Sequence, residues 1–321
     1  MIKDSKPDDD SPALTRVREV EVDRDGRGQR LDNFLLRELG SVPRSAVYKL
    51  IRTGQVRVNG RRARPMQKLV PGDRVRIPPH RVPDSGEVPV PRDLIESIRA
   101  RIVHRQAEYL VVDKPAGLAA QGGTGLKWGL AEIMRRIDER AVPVHRLDRE
   151  TSGLMVFALG AANARALQRV MHGKSGERAE KRYLALLEGH LPETQVVVDQ
   201  PLMQIRDGSG QRRVVVDPNG QDARSVFRVL ERFEHRDFVE VQLMSGRMHQ
   251  IRVHAQWLGC PVVGDPRYGD APRPAGLSRM FLHAASLRLP WPDDQLCSAP
   301  LPDELNEFLA RQRPEPKRSP R

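Results

Sequence analysis

The stretch "VPVHRLDRETSGLMVFAL", residues 142–159, places a charged segment directly before an apolar one. Its last six residues form a continuous apolar run of the length typical of a buried strand. Asp148 lies just ahead of that run, between Arg146 and Arg149, and a helix-like segment, "WGLAEIMRRID" at residues 128–138, precedes the whole stretch. One carboxylate flanked by two guanidinium groups is therefore expected where the chain enters its core.

An aspartate in such a corner has a plain structural explanation. Its carboxylate can accept hydrogen bonds from the backbone of its own turn, and Thr-Ser-Gly at residues 151–153 is good turn material. Taken alone, the segment favours this structural role for Asp148. Other segments of the chain favour a functional role for this residue.

The segment "SGRMHQIRVH", residues 245–254, reads as an extended strand between two apolar segments. Alternate residues of a strand share a face, which would put Arg247 and His249 on one side and Arg252 on the other. A buried guanidinium needs a carboxylate partner, best in a bidentate contact. Asp148 is a candidate partner for such an arginine.

Two more segments attract attention. In "EKRYLAL", residues 180–186, Tyr183 opens an apolar strand, either as an ordinary boundary tyrosine or as part of a site. "VVDKPAGLAAQGGTG", residues 111–125, is a strand that leads through a proline turn into a glycine-rich loop. This loop lacks the spacing of nucleotide-phosphate motifs, so we expect a mobile loop. No metal-ligand set is recognisable among the histidines, and neither a metal nor a cofactor is expected.

The remaining patterns set the fold class and the compartment. From about residue 100, strand-like segments outnumber helix-like ones and follow each other in hairpin order, which predicts an α+β fold with a mixed, mostly antiparallel sheet. The cysteines, Cys260 and Cys297, are far apart, which favours a reducing compartment without disulfides. No apolar run is long enough for a membrane span, and the acidic amino-terminal segment is unlike a signal peptide. We expect a cytoplasmic protein.

Positive charge is concentrated in one part of the chain. The formal net charge is +12, and residues 30–81 alone contribute thirteen Lys or Arg against three Asp or Glu. Residues 82–310 are balanced. Scattered surface lysines and arginines do not explain this segregation, which indicates a polyanionic partner for one small module.

The basic module is predicted to hold two helices, "RLDNFLLREL" and "VPRSAVYKLIRTG", and a small sheet with a hairpin turn at Asn59-Gly60. Eight of its basic side chains are candidates for contact with that polyanion: Arg44, Lys49, Arg52, Arg57, Arg61, Arg62, Arg64 and Lys68. The predicted organisation of the chain is a disordered segment (1–27), the basic module (28–81), a proline-rich linker (82–98), a large α+β domain (99–312) and a basic tail (313–321).

The segments "HRLDRETSG", "DKPAGL", "KRYLAL" and "GRMHQIRVH", in this order, resemble those of the RluA-type pseudouridine synthases, which modify bacterial large-subunit ribosomal RNA. The basic module resembles a small RNA-binding domain first described in a ribosomal small-subunit protein. Together the resemblance spans about residues 28–310. It implies a pseudouridine synthase fold and isomerisation of uridine in 23S ribosomal RNA, without cofactor or metal, by a cytoplasmic monomer.

The resemblance also implies roles for four side chains. Asp148 is the nucleophile or base, and Arg252 is the partner that keeps it ionised. Arg146 fills the space left by the flipped-out uridine, and Tyr183 stacks on the base and assists removal of the proton at C5. Whether Asp148 attacks C1′ or abstracts a proton to give a glycal stays open at this point.

Three alternatives remain at the level of the sequence. The chain could modify other sites in ribosomal or transfer RNA. It could be an RNA-binding protein of ribosome assembly without catalysis, or an RNA glycosidase that cleaves the base. The joint presence of Asp148, Tyr183 and Arg252 argues against a binding protein, and the lack of a second motif carboxylate argues against a glycosidase.

Overall fold

The computed structural model describes residues 16–23, 26–39, 42, 44–79, 89–122, 128–173, 176, 178–208, 211–269 and 271–313. The chain forms two compact units, residues 1–89 and residues 90–321. No helix in these ranges is long and apolar enough to cross a bilayer.

The first unit is a small α/β module. Its elements are β1 (Arg18–Glu21), α1 (Leu31–Glu38), α2 (Arg44–Arg52), β2 (Arg57–Val58), β3 (Arg61–Arg62) and β4 (Arg74–Ile77). The strands form an antiparallel sheet in the order β1-β4-β2-β3. Leu31, Phe34 and Leu35 of α1 are completely buried in the core of the unit. Asn59 and Gly60 both have positive φ, as the predicted hairpin turn requires.

This unit begins earlier than the sequence suggested. The segment 1–27 was expected to be disordered, yet β1 pairs with β4 through Val20 and Val75, and Val22 is buried in the same core. The alternation "VREVEV" at residues 17–22 is a strand pattern. The acidic composition of residues 1–27 as a whole conceals this pattern.

The second unit contains α3 (Arg92–Arg99), β5 (Ile102–Arg105), β6 (Tyr109–Lys114), α4 (Leu130–Ile137), β7 (Ala141–Pro143), β8 (Ser152–Leu159), α5 (Ala161–Met171), β9 (Glu180–Glu188), β10 (Gln195–Asp199), β11 (Leu202–Arg206), β12 (Arg212–Val216), β13 (Arg224–Arg232), β14 (Arg236–Leu243), α6 (Gln250–Trp257), β15 (Leu282–Leu289), β16 (Gln295–Ser298) and α7 (Asp303–Ala310).

Ten of these strands form one sheet. Its main path is β10-β13-β14-β9-β15-β8-β6-β5, with β7 beside β8 and β16 beside β15, while β11 and β12 form a separate hairpin. Among the named strands, the pairing of β15 with β8 is parallel and the others are antiparallel. The predicted α+β class with a mixed, mostly antiparallel sheet is therefore confirmed.

Strand β8 explains why "LMVFAL" is apolar without alternation. Met155 and Phe157 pack into one hydrophobic core, and Leu154 and Val156 pack into a second core on the other face of the sheet. Both faces of the strand are therefore buried. At its start, Gly153 has φ of +110°, and a Cβ atom there would lie 2.2 Å from the carbonyl oxygen of Ala284. Only glycine lets β15 approach this closely.

The linker predicted over residues 82–98 is wrong in its second half. Residues 92–99 form α3, and Ile98 is buried in a core of the second unit. The apolar residues of "RDLIESIR" recur at helical spacing, but three prolines between residues 83 and 91 dominated the interpretation of the whole stretch. Residues 80–88 lie outside the described residues, as do residues 314–321 of the predicted basic tail.

The strand predicted over residues 245–254 is also wrong. Helix α6 begins at Gln250, and residues 250–255 are all buried. A helix without a solvent face shows no 3.6-residue pattern, so periodicity cannot distinguish it from a strand. The Gln250 side chain fixes the start of the helix, because its Oε1 accepts hydrogen bonds from the Ser245 hydroxyl and the Arg247 amide.

Candidate active site

Asp148 lies in the loop that joins β7 to β8, a strand inside the large sheet. Its side chain is 22% exposed and faces a cavity. The amide of Thr151 donates a hydrogen bond to the backbone carbonyl of Asp148, which closes the turn without using the carboxylate. The carboxylate is therefore free of the turn-capping role that the sequence alone favoured.

Arg252 of α6 reaches Asp148 from a segment 104 residues away. Its Nη1 donates a hydrogen bond of 2.8 Å to Oδ2 of Asp148. Its Nε and Nη2 donate to the two carboxylate oxygens of Asp265, at 2.7 Å each. Burial opposes the charged guanidinium, but the hydrogen bonds and negative charge of Asp265, and then of Asp148, raise the pKa of Arg252 above its usual value. The arginine is a fixed cation shared by two carboxylates.

Asp265 is the buried anchor of this arrangement. It is almost fully buried, and one of its oxygens also accepts hydrogen bonds from the amides of Arg267 and Tyr268. Burial acts to raise the pKa of Asp265, but the contacts with Arg252 and with these amides lower it. The carboxylate therefore stays ionised, and it orients Arg252 toward Asp148.

His249 faces the other oxygen of Asp148. Its Nε2 lies 3.7 Å from Oδ1 of Asp148, and its Nδ1 lies 2.8 Å from the hydroxyl oxygen of Tyr268. Burial lowers the pKa of His249, against the attraction of Asp148. The imidazole is therefore neutral near pH 7.

Tyr183 lies in β9, in the middle of the sheet, opposite Val241 of β14 and Ala284 of β15. Its side chain lines the same cavities as Asp148. Burial, and then the negative charge of Asp148, raise the pKa of Tyr183. The residue is a neutral phenol near neutral pH, with its ring exposed to the cavity.

The cavity in front of Asp148 has a volume of about 370 Å³ and adjoins a smaller one of about 60 Å³. Small-molecule sites occupy roughly 300–1,000 Å³. Both cavities share six lining residues, and these are Arg146, Asp148, Tyr183, Leu243, Arg247 and His249. Lys181 and Arg212 also line the larger one. Four basic side chains and one carboxylate thus line the larger cavity, and this excess of positive charge suits a negatively charged ligand.

The four predicted catalytic and base-flipping residues thus meet at one cavity, although a strand, a helix and a loop supply them. Arg146 is exposed at the cavity wall, and within the described part of the chain its guanidinium forms no hydrogen bond or ion pair. The sequence interpretation missed Asp265, Tyr268 and the position of His249 beside Asp148. A signal was present in "VVGDPRYG", residues 262–269, where a carboxylate follows two apolar residues and a glycine.

Two buried basic side chains donate hydrogen bonds to the backbone of the loop that carries Asp148. Lys114 is completely buried, and its Nζ donates hydrogen bonds to the carbonyls of Pro115, Leu118 and Arg149 at 2.9, 2.9 and 3.3 Å. Arg279 donates to the carbonyl of Glu150 at 3.4 Å. The two residues that follow Asp148 are therefore tethered through their backbone.

Lys114→Met should make the stability of the protein less dependent on pH. Burial, and then the charge of Arg279, lower the pKa of Lys114 to about 7, whereas an unfolded lysine titrates near 10.4. Between these values the unfolded state binds more protons, so the wild type gains stability as pH rises, by up to about 1.4 kcal/mol per pH unit. Removal of the hydrogen bonds to the three carbonyls adds an offset that does not depend on pH.

The measurement is urea unfolding of wild type and Lys114→Met at several values between pH 7 and 10. The unfolding free energy of the wild type should rise relative to that of the variant across this window. Parallel curves would show that Lys114 keeps its proton in the fold.

The predicted RNA-contact residues lie on the first unit. Seven of these side chains are exposed on helix α2, on strands β2 and β3 and on the segment between β3 and β4, and they are Lys49, Arg52, Arg57, Arg61, Arg62, Arg64 and Lys68. The side chain of the eighth, Arg44, lies outside the described residues, as do residues 123–127 of the predicted glycine-rich loop. The exposed set gives one small unit a strongly positive surface.

Comparison with known proteins identifies both units. A family model described as RNA pseudouridylate synthase matches residues 108–257, and an S4 domain model matches residues 29–75. The chain is 39% identical over 306 residues to the ribosomal large subunit pseudouridine synthase C of Yersinia pestis, covering 91% of this chain and 95% of that protein. Over 312 residues it is 38% identical to the protein of the same name from Escherichia coli O157:H7, covering 92% and 97%.

The fold has solved counterparts. Human RNA Pseudouridylate Synthase Domain Containing 4 superposes with a TM-score of 0.57 at 26% identity, covering 68% of this chain and 95% of that one. Human RNA Pseudouridylate Synthase Domain Containing 1 gives 0.54 at 27% identity, covering 70% and 98%. With relatives this similar over nearly its whole length, the chain belongs to the RNA pseudouridine synthases, and it is an enzyme that isomerises uridine in RNA.

Proposed function

We propose that this enzyme converts specific uridines of large-subunit (23S) ribosomal RNA to pseudouridine, with Asp148 as the catalytic nucleophile or base. The observation that carries the proposal is the ion pair of Asp148 with Arg252, at a cavity that Tyr183 also lines. The names of the relatives support the ribosomal substrate. We also propose a cytoplasmic monomer, with the basic first unit as the RNA-binding module and the second unit, from α3 onward, as the catalytic domain.

The reaction breaks the bond between N1 and C1′, rotates the uracil, and joins C5 to C1′. The proton on C5 leaves and N1 gains a proton, so the reaction is redox-neutral. A carboxylate beside C1′ can serve either as the nucleophile at C1′ or as the base that generates a glycal. Arg252 supports both routes, because its hydrogen bond to Oδ2 holds in place the carboxylate on which each depends.

Arg146 fits the proposed role in base flipping. The target uridine must leave its stack, because C1′ and C5 are inaccessible within a helix. An exposed guanidinium two residues before Asp148 can occupy the space vacated by the base, where it can also contact phosphate. Its freedom from partners within the described chain leaves it available for this contact.

Tyr183 fits a stacking role better than a role as an anionic base. Its raised pKa keeps the phenol protonated near neutral pH, so it cannot accept a proton as a phenolate. A neutral ring beside Asp148 can hold the uracil while it is detached. Its hydroxyl oxygen can still accept a hydrogen bond during removal of the proton at C5.

The basic module is proposed to grip RNA through phosphates. Replacing Arg57, Arg61 and Arg62 together by Gln should weaken RNA binding and flatten its dependence on salt. Each phosphate that is no longer neutralised by the protein reduces the slope of log affinity against log salt by about 0.7–0.9. The measurement is a binding titration of 23S RNA fragments at several salt concentrations.

The matched control replaces Arg99, Arg140 and Arg288 of the second unit, each ion-paired on the surface, by Gln. This variant has the same net charge as the module variant, and it should keep most of the wild-type slope. Equal slopes for the two variants would show that overall charge, and not the module, binds the RNA.

Mapping of pseudouridines tests the substrate. Ribosomal and transfer RNA from cells lacking the gene are treated with carbodiimide, and reverse-transcription stops are compared with wild type. Loss of stops confined to 23S RNA supports the proposal, and loss confined to transfer RNA overturns it. Purified enzyme and RNA are then examined for products, because free uracil would instead indicate an RNA glycosidase.

A further inference from the structure

His249 has an unusual backbone for a residue that is not glycine. It lies directly before α6 with φ of 55° and ψ of 20°, in the left-handed region. Among the described residues, Asn59 and Asp294 are the other such positions, and asparagine, aspartate and histidine are the types other than glycine that adopt this conformation most often. Left-handed conformations persist where the surrounding structure enforces them, and they cluster at functional sites. Here the imidazole lies beside Asp148.

The contacts of Tyr268 determine which nitrogen of His249 carries the proton. The amide of Val214 donates to the Tyr268 hydroxyl at 3.1 Å, so that oxygen acts as an acceptor there. Tyr268 is almost fully buried, and its own hydroxyl proton needs an acceptor. Nδ1 of His249, at 2.8 Å, provides that acceptor. Because the imidazole is neutral, its remaining proton lies on Nε2.

We propose that Tyr268 holds His249 as the Nε2–H tautomer, and that His249 is a positioning residue that directs Oδ1 of Asp148 as the reacting oxygen. This inference rests on the proposed catalytic role of Asp148. The Nε2–Oδ1 distance of 3.7 Å exceeds the range of a hydrogen bond. The N–H therefore orients Oδ1 electrostatically and leaves its lone pairs available.

The two oxygens of Asp148 thus have different neighbours. Oδ2 accepts a hydrogen bond of 2.8 Å from the guanidinium of Arg252, whereas Oδ1 lies 3.7 Å from Nε2 of the neutral imidazole of His249. The same turn supports both partners, because Asp265 binds Arg252 and also accepts a hydrogen bond from the amide of Tyr268. The Arg252 guanidinium lies over the Tyr268 ring, 5.0 Å from its centroid. The turn from Asp265 to Tyr268 therefore positions both groups that lie beside the carboxylate of Asp148.

Two substitutions of His249 separate this role from a structural one. In His249→Gln, the terminal amide can place an N–H donor where Nε2 lies. In His249→Asn, the shorter amide can accept the hydrogen bond of Tyr268 but cannot reach Asp148. Asparagine also tolerates the left-handed backbone better than glutamine. We therefore expect His249→Asn to be the more stable of the two variants and His249→Gln to be the more active one.

The measurement is single-turnover pseudouridine formation on 23S RNA fragments, with thermal unfolding of each variant. We expect His249→Asn to keep the melting temperature of the wild type and to react at least about tenfold more slowly, with unchanged RNA affinity. We expect His249→Gln to react within a fewfold of wild type despite lower stability. Equal rates for His249→Asn and wild type would overturn the inference. So would a variant ranking that follows stability alone.

The tautomer is measured directly by nitrogen NMR of the ring of His249 in selectively labelled protein. The wild type should show a protonated Nε2 and an unprotonated Nδ1, and Tyr268→Phe, which keeps the ring against Arg252, should lose that preference. A protonated Nδ1 in the wild type would overturn the proposal. Asp148→Asn is assayed in parallel. Its activity does not depend on the tautomer of His249, so it tests the proposed function alone. The two failures can therefore be distinguished.

Discussion

Asp148→Asn is expected to reduce the rate of pseudouridine formation by at least about 10⁴-fold, the loss typical when a nucleophile is removed from an enzyme. The amide has the shape of the carboxylate, and its oxygen can still accept the hydrogen bond from Arg252. It lacks the negative charge and the lone-pair reactivity that attack at C1′, or abstraction of a proton, requires. The fold should persist, because the bidentate pair of Arg252 with Asp265 is unchanged.

The assay is tritium release from RNA labelled at C5 of uridine, with enzyme in excess over RNA. Asp138→Asn is the matched control, since it makes the same chemical change in a carboxylate ion-paired with Arg140 away from the cavity. The control should react like the wild type, and both variants should bind RNA with wild-type affinity. Activity of Asp148→Asn close to that of the control would refute the catalytic assignment and leave Asp148 as a turn residue.

Arg252→Met is expected to lower the free energy of unfolding by about 3–5 kcal/mol and to abolish activity. The stability loss arises because Asp265, which is almost fully buried, would keep a negative charge without a partner. The activity loss arises because Asp148 would lose the only guanidinium that contacts it among the described residues. Urea unfolding and the tritium assay measure the two effects separately.

The double variant Arg252→Met with Asp265→Asn separates stability from catalysis. Removing the buried charge along with its partner should restore part of the lost stability, while activity stays low because Asp148 is still unpaired. Arg288→Met is the control, because its partner Asp294 is exposed and such pairs contribute about 0–1 kcal/mol. If the double variant were as unstable as Arg252→Met, the buried charge of Asp265 would not be the cause of the lost stability.

The sequence by itself determined the local elements of this protein. Strand β8, the helices α1, α2 and α4, and the turn at Asn59-Gly60 follow from apolar periodicity and turn chemistry, both of which act over a few residues. The concentration of positive charge in the first unit is likewise a property of composition. Asp148, Arg146, Tyr183 and Arg252 were identifiable as site residues because their motifs resemble those of a known family.

Only the tertiary structure decided which side chains meet. Residues 250–255 of α6 are all buried, so nothing in their local pattern distinguishes them from a strand. The packing of α6 against the sheet is what brings Arg252 to Asp148 across 104 residues. Asp265 and Tyr268 became visible as partners of Arg252 and His249 only when the turn that carries them packed beside α6. A contact between distant segments depends on the packing of the whole sheet, and neither periodicity nor composition records that packing.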